Sequence, residues 1–153
     1  MSSKRDDMLL LENQFCFQVY AASRLVTKAY RPLLNKLDLT YPQYLVMLLL
    51  WEHGVISVKE LGKLLYLDSG TLTPLLKRLE KLGVLHRSRS KEDERILMVT
   101  LTEQGRELKE KTKEMDIPKQ LMEGLNLSCT AEELGHLRED LKKLIKDINS
   151  LNS

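Results

Sequence analysis

The chain has 153 residues and a formal net charge of +2; 42% of its residues are hydrophobic, 30% are charged, and it holds 7 glycines and 4 prolines. That length supports one folded unit with a sizeable core, and the scarcity of glycine and proline favours a mainly α protein over disorder or a β-sandwich. The longest apolar run, YLVMLLLW at 44–51, falls far short of a membrane span.

The leucine cluster of MSSKRDDMLLLENQ is interrupted by Glu12, Asn13 and Gln14 before it can form a secretory core, so the expected location is cytoplasmic. Two cysteines 113 positions apart, Cys16 and Cys129, do not make a secreted disulfide framework. Charge is unevenly distributed. Residues 77–91 (KRLEKLGVLHRSRSK) hold six Lys/Arg against one Glu. A basic segment on a slightly acidic remainder is a footprint of nucleic-acid contact, although a solvated helix face gives similar runs.

In chain order, residues 9–30 place Phe15, Val19, Ala22, Val26 and Tyr30 at a 3–4 residue recurrence, which predicts a long helix. Pro32 is expected to end or bend it. Thr40, Pro42 and Gln43 have the layout of a capping box. The helix they open runs through Glu52, is apolar nearly all round, and stops at Gly54. Ser57 and Glu60 form a second box before a short amphipathic helix ending near Leu67. Asp68, Ser69, Gly70 and Thr71 are a turn and cap cluster, after which Leu72, Leu75, Leu76, Leu79 and Leu82 mark another helix. These two helices and their tight turn predict a helix-turn-helix. Pro74 costs at most one backbone bond if the second helix starts at Ser69, and none if it starts at Thr71.

Beyond Gly83, VLHRSRS and RILMVTL are β-prone and flank the polar SKEDE, the pattern of a hairpin. A helix-turn-helix followed by a basic hairpin is a winged helix. Thr102 caps a further helix to about Met115, Asp116-Ile117-Pro118 breaks it, and a short helix follows to about Leu125. A third box at Thr130 and Glu133 opens a final helix with Leu134, Leu137, Leu141, Leu144, Ile145, Ile148 and Leu151 on one stripe. The expected organisation is one domain, 1–153: an N-terminal dimerisation region at 9–37, a winged helix-turn-helix at 40–102, and C-terminal helices at 103–153. The terminal segments carry more apolar surface than a small winged helix covers, so a homodimer is expected, against a monomer folded over its own core.

In the second helix of the helix-turn-helix, the face opposite the leucines presents Ser69, Thr71, Thr73, Lys77, Arg78 and Lys81, candidates for base edges and phosphates. Arg87 and Arg89 alternate along one strand and share a face, either as phosphate ligands or as solvated edge residues. At the wing tip, Asp93 and Arg95 are two apart: a carboxylate holding a guanidinium out for the minor groove, or a weak surface pair.

The run from LTYPQYLVMLLLWE through LDSGTLTPLLKRLEKLG to KEDER closely resembles the MarR family of dimeric winged-helix repressors, and within it the organic-hydroperoxide sensors called OhrR. The resemblance covers about residues 11–105 and is looser beyond. It implies that Arg95 enters the minor groove beside Asp93, and that the partner is a pseudo-palindromic double-stranded operator.

Cys16 sits between Phe15 and Phe17 and four residues before Tyr20. Read alone, a cysteine on an apolar helix face is more often packing than chemistry. Against that, Tyr20 is one turn away, and Tyr30 and Tyr41 flank the junction of the first two helices. A peroxide sensor needs a thiolate, which hydrogen-bond donors favour, and apolar walls suit organic hydroperoxides. The OhrR resemblance implies that Cys16 is the reactive thiol and that Tyr30 and Tyr41 hydrogen-bond it from the partner subunit. It also implies oxidation to sulfenic acid as the first step. One-cysteine members then react with a small thiol or over-oxidise, whereas two-cysteine members form an intersubunit disulfide. Cys129, in NLSCTAEEL, lies where a resolving cysteine would sit, or is passive in a helix-entry loop.

Three competing readings remain. A MarR-like regulator could be released by a small phenolic ligand, with Cys16 incidental; a thiol peroxidase would leave the basic winged helix unexplained; a protein-binding winged helix is disfavoured by the basic segment. No cofactor is expected, and His53, His86, His136 and the two cysteines have no metal-ligand spacing.

Overall fold

The computed structural model describes residues 4–152. They form two compact units, one reaching to Leu121 and one from Met122 onward. No helix among the described residues is long and apolar enough to cross a membrane.

The first unit opens with a short helix, α1 (Lys4–Asp7), and a 3-10 turn at Leu11–Asn13. Helix α2 (Phe15–Asn35) follows. It starts later than the periodicity predicts: the chain is extended at Leu10 and Gln14, on either side of the 3-10 turn. The Asn13 side chain instead donates to the carbonyl of Asp7 at 2.7 Å. Pro32 does not end α2. It lies on the exposed face, where water can serve the carbonyl its missing N–H leaves open, and the next turn is held by burial of Leu34 and Leu37.

Helix α3 (Tyr41–His53) is entered through the complete Thr40–Gln43 capping box. Gly54 closes it at φ 74, a conformation that side chains with a Cβ rarely take. Strand β1 (Val55–Ser57) then leads into α4 (Val58–Leu65), with the Ser57 hydroxyl accepting from the Glu60 N–H at 3.1 Å. Tyr66 turns left-handed at φ 55, so α4 ends at Leu65, two residues before the expected Leu67. Helix α5 (Ser69–Lys81) begins at Ser69, so Pro74 leaves the Gly70 carbonyl without its helical donor.

Strands β2 (Leu85–Arg89) and β3 (Leu97–Leu101) form the expected hairpin, and β1 joins the open side of β3, giving an antiparallel sheet of order β1-β3-β2. Helix α6 (Glu103–Met115) is capped by Thr102, and α7 (Ile117–Leu125) carries Pro118 in its first turn, where no helical N–H is lost.

Leu34, Met47, Leu50, Leu61, Leu72, Leu76, Leu79 and Val99 are fully buried in one core built from α2, α3, α4, α5 and the sheet. Close approach sets one position. A Cβ on Gly105 would sit 2.2 Å from the Val84 carbonyl oxygen, and the Gly105 carbonyl accepts the buried Trp51 indole N–H at 2.9 Å. In the second unit, α8 (Ala131–Leu151) opens with the complete Thr130–Glu133 capping box. It buries none of its residues, leaving Leu137, Ile145, Ile148 and Leu151 exposed along the stripe.

Candidate nucleic-acid interface and thiol site

Helix α5 is oriented by Leu72, Leu76 and Leu79, which point into the core. The opposite face exposes Ser69, Thr71, Lys77, Arg78 and Lys81, as predicted, while Thr73 is half-buried and Leu82 lies exposed at the helix end. At the N-terminus the Asp68 carboxylate accepts the Thr71 N–H at 2.7 Å. That backbone bond is the main reason its carboxyl lies below the usual range.

The wing departs from the expected display of arginines. Arg87 does not stand beside Arg89 as a free cation. Its backbone N–H donates to Glu80 Oε2 at 2.7 Å, and its guanidinium donates to Glu80 Oε1 through Nη2 at 3.1 Å and Nε at 3.3 Å. The Arg87 backbone bond is the main reason the Glu80 carboxyl lies below its ordinary value. Arg89 is exposed and donates to the Arg95 carbonyl at 3.4 Å, bracing the wing. At the tip, Arg95 donates to both carboxylate oxygens of Asp93, at 3.0 and 3.2 Å, while its side chain remains 91% exposed. The fork lowers the Asp93 carboxyl pKa and fixes one extended guanidinium orientation.

Cys16 is exposed in the first turn of α2, flanked by exposed Phe15 and Phe17. Tyr20 is exposed as well, its ring 5.3 Å below the Arg24 guanidinium. Tyr30 and Tyr41 are brought together, with centroids 4.8 Å apart, and Tyr44 joins them at 6.0 and 6.4 Å. Burial raises all three phenol pKa values, so they stay protonated hydrogen-bond donors at neutral pH. Cys16 and this cluster are far apart within the chain. Residues 16 and 30 lie on one continuous helix, about 21 Å apart along its axis. Cys129 is exposed in the turn before α8.

Between α2 and the start of α3 runs a groove of about 760 Å³, with Phe17, Leu25, Leu34 and Tyr41 in its walls and Arg24, Lys28 and Arg31 along its rim. Glu80 and Tyr44 escaped the sequence reading. Glu80 is visible as the one acid in the basic segment, but its partner across the Gly83 turn is not; Tyr44 is one position in a helix apolar nearly all round.

Comparison with known proteins agrees with this architecture. Residues 28–112 match the family model described as transcriptional regulator SarA/Rot. The chain is 51% identical to the organic hydroperoxide resistance transcriptional regulator of Bacillus subtilis (strain 168), over 99% of this chain and 100% of the relative. The solved structure of AbfR of Staphylococcus epidermidis superposes with a TM-score of 0.76 at 33% identity, covering 98% of this chain and 99% of AbfR. AbfR has also been solved reduced and overoxidised on DNA, and with a disulfide formed. A mutant of MarR from E. coli complexed with operator DNA has a TM-score of 0.74 at 27% identity, covering 94% and 99% of the two chains. With a relative identical at half of all positions along the full length, and a winged helix shared with MarR on its operator, this chain belongs to the MarR family of transcriptional regulators, in its OhrR-like branch.

Proposed function

We propose that this regulator is a homodimeric repressor that leaves its operator when an organic hydroperoxide oxidises Cys16. The observation that carries the reading is the separation of thiol and phenols along α2. A thiol at one end of a continuous helix and a cluster of protonated tyrosines toward the other complete one site only when a second copy brings the ends together. The unburied apolar residues around Cys16 and along α8 supply surface for such a pairing.

In that site the Cys16 thiolate attacks a peroxide oxygen. The O–O bond breaks, the alcohol leaves with a proton, and sulfur remains as sulfenic acid. The thiol of the partner subunit's Cys129 then displaces water and forms an intersubunit disulfide. Rearranged terminal helices change the spacing of the two α5 helices, which no longer fit consecutive half-sites. On DNA, Ser69, Thr71, Thr73, Lys77, Arg78 and Lys81 face the major groove, Arg89 lies toward the backbone while Arg87 is held by Glu80, and Arg95, held by Asp93, enters the minor groove. Support comes from AbfR, for which DNA-bound and oxidised states are known in a single protein.

The test is a gel shift with reduced and cumene hydroperoxide-treated protein. Cys16→Ser is expected to bind like the reduced wild type and to ignore peroxide; a serine variant still released by peroxide refutes the mechanism. Non-reducing electrophoresis of oxidised wild type should show a covalent dimer that Cys129→Ser abolishes, and a band that survives that change removes Cys129 from the scheme.

A second reading rests on the groove between α2 and α3, whose apolar walls and cationic rim suit a small phenolic ligand. Ligand-dependent release together with indifference to peroxide selects it, with Cys16 incidental.

A further inference from the structure

Glu80 is the only acidic residue in the basic segment 77–91, and its carboxylate is turned onto the wing. Its two carboxylate oxygens accept three hydrogen bonds from Arg87, one from the backbone and two from the guanidinium. The Nδ1 of His86 lies 3.9 Å from Oε2. The Arg87 side chain is 20% exposed. A lone surface ion pair orients little, but a carboxylate that grips both the main chain and the side chain of one residue fixes the strand in position and rotation. Glu80 belongs to α5, and Arg87 to the root of β2, across the Gly83 turn.

We propose that Glu80 is a specificity-determining positioning residue: it locks the wing root to the recognition helix, so that Arg95 at the wing tip and the exposed face of α5 meet DNA in one fixed relation. The proposal rests on the DNA-binding reading above and deepens it. Two consequences follow from charge and geometry. Arg87, neutralised by Glu80, adds little net attraction to phosphate. Glu80 itself repels the duplex, so losing it favours random DNA while harming the operator, which needs the wing in register.

The experiment is a double-mutant cycle on operator affinity, using a duplex selected from random-sequence DNA by the reduced wild-type dimer, with unselected duplex as the second probe. Arg95→Ala should cost about tenfold on the operator in the wild-type background and under about threefold in the Glu80→Ala background, because a wing no longer held in register gains little from its arginine. Glu80→Ala alone should weaken operator binding about tenfold and leave the affinity for unselected duplex unchanged or raised. Glu80→Gln, whose amide oxygen still accepts the Arg87 N–H, should retain more operator affinity than Glu80→Ala, and it takes over the cycle if thermal melts show the alanine variant unfolded.

Equal losses from Arg95→Ala in both backgrounds overturn the proposal, as does tighter operator binding by Glu80→Ala, which would make Arg87 a phosphate ligand that Glu80 holds back. Parallel losses on both duplexes overturn it too, since they mark a fold defect. If the wild type selects no duplex at all, the DNA-binding reading itself falls. A selected operator with an additive cycle leaves that reading standing and removes only the role of Glu80.

Discussion

Helix α5 and the first half of α2 have the same apolar recurrence and opposite fates. In α5, Leu72, Leu76 and Leu79 are at most 1% exposed, whereas Phe15 in α2 is 59% exposed, and Val19 and Val26 further along the helix are also uncovered. Periodicity says that a face will be buried and is silent about what buries it. For α5 the cover is α3, α4 and the sheet of the same chain. For the start of α2 the proposed cover is a second chain, which places the exposed Cys16 thiol on the surface that dimerisation would close. In that proposal the stable winged helix and the dimer-completed sensor are separate parts of one molecule.

Substitutions that act on only one of these regions test the contrast. Leu76→Ala removes a fully buried side chain and should cost about 2–5 kcal/mol, lowering the melting temperature by the same amount at every protein concentration. Phe15→Ala should lower it most in dilute solution and shift sedimentation toward monomer, because the proposed dimer covers this exposed ring with the partner. If both variants show the same concentration dependence, the distinction between the two regions is wrong.

A smaller effect is expected at the junction. Thr40→Ala removes the hydroxyl that accepts the Gln43 N–H at the start of α3 and should cost about 1 kcal/mol in thermal or urea unfolding. It sits next to the tyrosine cluster, so peroxide sensitivity should fall more than operator affinity. Equal losses would place the phenols outside the sensor.

The smallest effect is on pH. Tyr30, Tyr41 and Tyr44 have pKa values raised above 10.0, chiefly by burial. For such groups the folded chain holds protons that the unfolded chain has released. Their contribution to stability is therefore complete below pH 10 and lost as pH rises through the raised folded values. Melts across the alkaline range, followed with tyrosinate absorbance, should show stability falling where the phenols ionise, with a shallower fall in Tyr30→Phe.

Local chemistry made much of this protein legible. Thr40, Asp68, Thr102 and Thr130 cap their helices as the residue types demand, and the leucines of α5 face the core as their spacing requires. The basic hairpin, the alternation around β2 and β3 and the Asp93–Arg95 fork are likewise short-range features, since their partners lie within a few residues or a single turn. Family motifs supplied the link from Cys16 to peroxide, which local spacing alone left weaker than packing.

Only the tertiary structure decided the rest, because the partners are distant in sequence. Strand β1 is three residues with too little alternation to read, and exists because the free edge of β3 accepts it. Pro32 is tolerated because it faces water while its neighbours Leu34 and Leu37 are buried. Tyr44 joins Tyr30 and Tyr41 through the packing of α2 on α3, and Arg87 turns from a presumed phosphate ligand into a clasp on Glu80 once β2 folds back along α5. Sequence supplies the candidate residues, since their type and local spacing are written in the chain; the fold decided which of them meet, since that depends on surfaces that exist only after the core has closed.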